Sequence, residues 1–248
     1  MFSLEIECDQ SRRDWLMADL YDLNPAGVVE LDADRVRVFF DDTADHAQLL
    51  VRYPGAAIRV EEDRDWVGEA QALLQPMRVG SRFFLVPEWR DDPAPEGRFR
   101  IAVNPGRAFG TGVHETTQLC LEALEEFVHP GAVVLDVGTG QGILARAARL
   151  LGAGTVIACD TDPVAIEIAG MGFVGSVDAV RSDSVDLVVA NISPEAIVQM
   201  APDLFRVRRR RGTILTSGFE LNETKDVSSA LPGIRELRQK GNWALAVA

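Results

Sequence analysis

Cysteine is scarce in this sequence, and what there is lies scattered. The three residues, Cys8, Cys120 and Cys159, are odd in number and two fall on apolar faces. They read as reduced thiols in a cytoplasmic protein rather than as a disulfide scaffold. Histidine is equally rare: His46, His114 and His129 stand far apart, and no Cys/His cluster has metal spacing. No apolar run is long enough to span a bilayer. The stretch MFSLEIECDQ has neither a basic n-region nor an apolar h-region, so no signal peptide is expected. Repeats and low-complexity tracts are absent. Positive charge is in deficit: the formal net charge is −13. That argues against a generic nucleic-acid binder. It suits a basic protein partner and serves solubility equally well. One run goes the other way, Arg206–Arg211 within FRVRRRR. It reads as a solvated helix-to-strand loop, with an RNA or acidic-surface contact as the alternative.

What is present is an ordinary globular composition, 47% hydrophobic and 25% charged in 248 residues, with room for one large domain or two small ones. Its most informative stretch is Val133–Leu144, VVLDVGTGQGIL. An apolar run ends in Asp136, glycines follow at Gly138, Gly140 and Gly142, and a helical pattern begins at once. This predicts a strand, a glycine-rich turn and a helix N-terminus, which together bring backbone N–H groups up to a ligand. Two ligands compete. Gly140–Ala145 fits a G-x-G-x-x-A dinucleotide pattern, with Asp160 at the distance of a ribose contact. The register over Asp136–Gly142, D-x-G-x-G-x-G, instead resembles the first motif of class I methyltransferases. Electrostatics favours the second. Asp136 at a strand tip repels a pyrophosphate and attracts the ammonium and sulfonium of S-adenosyl-L-methionine. The next apolar run, Thr155–Cys159, ends in Asp160, as if to accept hydrogen bonds from a ribose diol.

Further blocks carry a family resemblance. NPGRAFGTGVHETTQLCL at 104–121, CDTDPVAI at 159–166, DLVVANI at 186–192, TSGF at 216–219 and DWVGEAQALLQPMRVGSRFFLVPEW at 65–89 join the glycine turn. Together they resemble the methyltransferases of large-subunit ribosomal protein eleven, the PrmA type. The resemblance covers most of the chain. It implies an α/β fold: a Rossmann-like class I methyltransferase domain, mostly parallel sheet with helices on both faces, and a small N-terminal ferredoxin-like α+β domain. It carries over Thr117, Gly138, Asp160 and Asn191 as cofactor contacts, and adds Thr111, Gly140 and Ser176. It implies an enzyme that uses S-adenosyl-L-methionine to methylate amines of a large-subunit ribosomal protein, on lysine side chains, the N-terminal α-amine or both.

The element pattern agrees. Strands at 2–8, 27–31, 35–40 and 56–61 and helices at 11–22 and 43–52 give βαββαβ, a ferredoxin-like order. The expected organisation is a substrate-recognition domain over 1–62, a linker helix over 63–78 and a catalytic domain over 79–248. In the last, strands and helices alternate from 132 to 230 and predict a parallel sheet. The tail with Gly241-Asn242 predicts a closing hairpin. A monomer without membrane or sequence-specific nucleic-acid contacts is the expectation.

Asn191 falls at the tip of the fourth strand of this sheet, where ligands bind. Methyl transfer needs an amine lone pair aimed at the methyl carbon. An amide oxygen and a neighbouring backbone carbonyl can accept the two N–H groups and so aim it. The alternative is a turn asparagine capping the next helix, and the position after DLVVA at a strand tip favours the functional reading. His114 and Glu115 are candidate bases, and His114 reads better as the organiser of the turn before a helix at 115–127. Three departures from the family stand out. Asn104 replaces an expected aspartate. The helix after Asp162 is short, ended by Ala169-Gly170-Met171-Gly172. The asparagine-containing second half of that helix is missing. Competing readings are a class I methyltransferase of another protein or a small molecule, a cofactor-binding protein with little activity and, more distantly, an NAD-linked dehydrogenase.

Overall fold

The computed structural model describes residues 2–8, 16–17, 19–20, 23, 25–32, 34–60, 74–104 and 114–248. The chain divides into two compact units, 1–73 and 74–248.

The first unit is built on alternation. In β1 (Phe2–Glu7) and β3 (Arg35–Phe40) every second side chain is buried, so each strand has one apolar face. With β2 (Gly27–Glu30) and β4 (Ala57–Val60) they form an antiparallel sheet in the order β2-β3-β1-β4. Helical residues 16, 17, 19 and 20 and α1 (His46–Arg52) lie between strands in sequence. Phe2, Leu4, Ile6, Leu20, Val36, Val38 and Leu49 make its core. This is the ferredoxin-like order expected from the sequence. Residues 11–15 of the expected first helix lie outside the described residues.

The linker helix needs correction at its end. Residues 61–73 lie outside the described residues, but 74–76 are not helical, and Met77–Val79 is a strand. Pro76 has no N–H to give a helix interior. Met77 and Val79 alternate instead along a partner, so this strand, β5, opens the second unit. It pairs antiparallel with β6 (Phe83–Pro87), which pairs parallel with β7 (Phe99–Val103). Glu125 grips the β5–β6 turn, accepting from the amides of Ser81 and Arg82 at 2.9 and 2.8 Å.

Glu125 belongs to α2 (Glu115–Phe127), which leads into the main sheet. Its strands are β8 (Val133–Val137), β9 (Thr155–Asp160), β10 (Phe173–Val174), β11 (Val185–Asn191), β12 (Arg208–Glu220), β13 (Glu236–Lys240) and β14 (Trp243–Val247). Their order is β10-β9-β8-β11-β12-β14-β13, parallel except at β14. Between them run α3 (Ile143–Leu150), α4 (Pro163–Ala169), α5 (Pro194–Val207) and α6 (Thr224–Ala230). Helices α2 and α3 bury one face with Val134, Leu187, Val189 and Leu215. Helices α5 and α6 bury the other with Leu135, Val188, Ala190 and Ile214. A strand apolar on both faces reads as a continuous run, as VDLVVA does. Cys120 and Cys159 lie in these two cores as free thiols, and burial pushes the Cys159 thiol up to about 12.

The arginine run is not a loop. α5 continues to Val207 and β12 starts at Arg208. Arg206 donates to the carbonyls of Val180, Val177 and Asp178, and the guanidinium of Arg209 forks onto Asp186 at 2.7 and 2.8 Å. These side chains brace the N-terminal end of the sheet.

Candidate active site

Order reverses between β8 and β11: the chain leaves β8 toward β9 and returns on its other side. Such a switch point leaves a crevice at the carboxyl ends of the strands. The register fills that crevice. Ala190 pairs with Val137, Val137 with Cys159, and Asn191 with Ser217. One residue further along, Asp160, Gly138 and Asn191 form a single row at the strand tips, beside Ser217 within β12.

The glycine turn follows from backbone conformation. Gly138, Gly140 and Gly142 have φ of 69°, 52° and 77°, the left-handed region where a side chain is strained. The amides of Gly138 and Thr139 both donate to the Cys159 carbonyl, at 2.9 and 3.0 Å, and Gly142 donates back to Thr139. Asp160 closes the turn from the next strand: its Oδ2 accepts from the Gly140 amide at 2.9 Å and its Oδ1 from the Asp162 amide at 3.0 Å. Each carboxylate oxygen keeps a second lone pair for a diol.

Asp136 is placed differently from a strand-tip carboxylate facing a ligand. It is buried beneath the turn, 1% exposed. Its Oδ2 accepts from Thr139 Oγ1 at 2.6 Å and from the Ala145 amide at 3.0 Å, in the first turn of α3. Gly142, the cap residue of that helix, has no side chain to do this. Asp136 therefore caps α3 from below. Burial raises its carboxyl to about 6, against the lowering effect of those two donors. Its Oδ1 has no hydrogen-bond partner among the described residues. A buried carboxylate with an unspent oxygen suits a cationic ligand and opposes a pyrophosphate. On that observation the turn fits S-adenosyl-L-methionine better than a dinucleotide.

Asn191 and Thr117 are brought together. Thr117, buried in the first turn of α2, accepts from Asn191 Nδ2 at 3.2 Å. With Nδ2 on Thr117, the Asn191 Oδ1 is left for another donor. Ser176 follows β10, next to Gly175, whose amide donates to the Asp160 carbonyl at 2.9 Å, and its own hydroxyl lies 3.7 Å from Met200 Sδ on α5. Thr111 lies outside the described residues, as does the rest of 105–113. Both flanks of that stretch are fixed: Asn104 exchanges backbone bonds with the Gln141 side chain, at 3.1 and 2.6 Å, and His114 caps α2. Nδ1 of His114 lies 2.8 Å from Thr116 Oγ1 and its ring meets Trp243 edge-on at 4.6 Å. This is the turn-organising role.

Four further residues shape the site without standing out in the sequence: Thr139, Gln141, Ile192 and Gly218. The first two carried a signal, since polar side chains inside a glycine turn need partners when buried. The last two form a contact that no local pattern reveals. A Cβ at Gly138 would lie 2.4 Å from Ile192 Cγ2, and one at Gly218 would lie 2.1 Å from the Ile192 carbonyl oxygen.

Helix α4 has seven residues and ends at Gly170 in the left-handed conformation, with φ of 64°. The short helix is thus real, and β10 behind it has two residues.

Comparison with known proteins gives the family of the chain. The model of a family described as ribosomal protein L11 methyltransferase (PrmA) matches residues 30–247. A ribosomal protein L11 methyltransferase of Symbiobacterium thermophilum is 37% identical over 265 residues, taking in 97% of this chain and 86% of that protein. Another, of Pelotomaculum thermopropionicum, is 37% identical over 217 residues, 80% of this chain and 70% of that one. The crystal structure of a ribosomal protein L11 methylase from Lactobacillus delbrueckii subsp. bulgaricus superposes with a TM-score of 0.64 at 32% identity, over 71% of this chain and 98% of that one. With its glycine turn, strand-tip row and reversed strand order, this chain belongs to the ribosomal protein L11 methyltransferase (PrmA) family.

Proposed function

We propose that this chain transfers methyl groups from S-adenosyl-L-methionine to amines of ribosomal protein L11. The observation that carries this is the row Asp160–Gly138–Asn191 across the switch point, in a chain of this family. When bound, the cofactor supplies an electrophilic methyl carbon, which an amine nitrogen takes with loss of one proton while the C–S bonding pair returns to sulfur. The residues divide the remaining work. Gly138 and Gly140 open the backbone to the ligand, Asp160 offers acceptors to a ribose diol, and Asp136 places negative charge under the turn. Thr111 and Ser176 belong to the same cofactor set.

Asn191 acts on the substrate. Its Oδ1, oriented by Thr117, accepts an N–H of the amine and holds the lone pair toward the methyl group. An amide does this without a charge that would keep the amine protonated. Unit 1–73 would grip the ribosomal protein. Membrane and sequence-specific nucleic acid play no part in this reading, which takes the chain as a monomer. Among the described residues no helix is long and apolar enough to cross a membrane. The cytoplasm, where the substrate is made, is the assigned location.

A second reading has its own observation. The short α4 and two-residue β10 flank the adenine side in this reading. Weak cofactor affinity and low turnover would follow. Calorimetry separates the readings. Micromolar binding of S-adenosylmethionine and S-adenosylhomocysteine, with none of NAD, supports the first, and binding weaker than about a millimolar supports the second. NAD binding tighter than both overturns the first.

A further inference from the structure

Ile192 is held from three directions. Its amide donates to the Ser217 carbonyl at 3.1 Å. Its own carbonyl lies over Gly218, where a Cβ would come within 2.1 Å of the oxygen. Two residues on, the chain enters α5 through Ser193, whose hydroxyl accepts from the Ala196 amide at 3.3 Å. With backbone freedom removed on both sides, the side chain has one place to go. Its γ2 methyl fills the space beside Gly138 that a Cβ would occupy, at 2.4 Å from that position.

This contact joins the two halves of the site. Gly138 belongs to the turn at the tip of β8, and Asn191, directly before Ile192, is at the tip of the adjacent strand β11. The strands are paired up to Val137 and Ala190. Beyond that pair no ladder bond joins the two strands, and the Ile192 γ2 methyl packs against Gly138.

We propose that Ile192 is a positioning residue: its γ2 methyl, seated on Gly138, sets the distance between the cofactor turn and Asn191, and hence the alignment of the amine with the methyl group. The inference rests on the reading above, in which Gly138 carries cofactor and Asn191 carries the amine. Methyl transfer is sensitive to such a spacing, because misplacement by about 1 Å costs on the order of a hundredfold in rate. Cofactor affinity is less sensitive, because the ligand follows the turn wherever the turn sits.

Two substitutions isolate the methyl. Ile192→Val keeps both branches at Cβ and so keeps γ2. Ile192→Leu keeps the volume but moves the branch one carbon outward, emptying the place beside Gly138. Each full-length protein is assayed for kcat on ribosomal protein L11, for S-adenosylhomocysteine affinity by calorimetry, and for melting temperature. We expect Ile192→Val to stay within about twofold of wild type in every measure. Ile192→Leu should lose at least about tenfold in kcat, with affinity changed by less than about threefold. If Ile192→Leu melts well below wild type, Ile192→Ala replaces it, since it opens space without new strain.

A double-mutant cycle adds a readout without turnover. Gly138→Ala should weaken S-adenosylhomocysteine binding, and Ile192→Ala should restore part of the loss by removing the methyl it strikes. Equal kcat in Val and Leu variants, a Leu loss matched by an equal affinity loss, or strict additivity in the cycle overturns the proposal. Wild type that binds no cofactor overturns the underlying reading instead.

Discussion

Asp136 should make this protein lose stability as the pH rises through the weakly acidic range. Its carboxyl titrates at about 6 in the folded chain instead of 3.8, because burial penalises the charge more than Thr139 and Ala145 relieve it. The direction follows from proton counts. Between those two values the folded chain holds a proton that the unfolded chain has released, so this group lowers stability as pH climbs. The full loss is about 3 kcal/mol, at about 1.4 kcal/mol for each tenfold change in proton affinity. It is complete once the pH exceeds the folded value. Asp136→Asn keeps an oxygen for Thr139 and Ala145 and cannot ionise. Urea unfolding of both proteins, from about pH 4 to about pH 7 at fixed ionic strength, gives the comparison. The transition to follow is that of unit 74–248, which contains Asp136. Other carboxylates titrate alike in both proteins and cancel. The wild type should lose about 3 kcal/mol against the variant across this range. A difference that stays flat, or that rises with pH, would refute the assignment of Asp136 as a buried cap under desolvation stress.

The remaining predictions concern packing and recognition. Gly218→Ala should destabilise by about 3 kcal/mol or more, since φ is 102° and the new Cβ meets the Ile192 carbonyl. Gly233→Ala is the control, with a similar φ of 90° and nothing within 4 Å. It should cost only about 1 kcal/mol, and equal losses in the two urea titrations would remove the steric argument. A fragment of residues 74–248 should fold and bind S-adenosylhomocysteine, since the turn and both acidic strand ends lie within it. It should lose methylation of ribosomal protein L11 with the docking surface that raises local amine concentration. Equal methyl incorporation at equal cofactor occupancy would move recognition into the catalytic unit.

The sheet was readable because each parallel strand is an apolar run that ends abruptly. VVLDV, TVIACD and VDLVVAN announce strands buried on both faces, and Asp162, Ser193 and Gly170 mark helix ends with their usual chemistry. Residues 77–79 and 99–103 were harder. Three-residue β5 carries almost no periodic signal, and the alternation of FRIAV is set beside a proline-rich loop. The arginine run looked like a loop because charge suggests water; Arg209, Arg210 and Arg211 are indeed exposed, but on a strand, and Arg206, Arg208 and Arg209 find carbonyls and Asp186 across the sheet end. At the site, chain position gave Gly138, Gly140, Asp160 and Asn191, because strand tips are local. It did not give the role of Asp136. An aspartate two residues before a glycine turn looks the same whether it faces a ligand or caps the helix beneath. The meeting of Ile192 with Gly138 and Gly218 joins three strands, and only the register brings it about.

The most direct measurement is transfer of labelled methyl from S-adenosyl-L-methionine to purified ribosomal protein L11, by the full chain and by Asn191→Ala at matched cofactor occupancy. The account predicts incorporation into amines by the full chain and a rate on the order of tenfold to a thousandfold lower for the variant. Incorporation at the same rate by both proteins, or none by the full chain with cofactor bound, would contradict it.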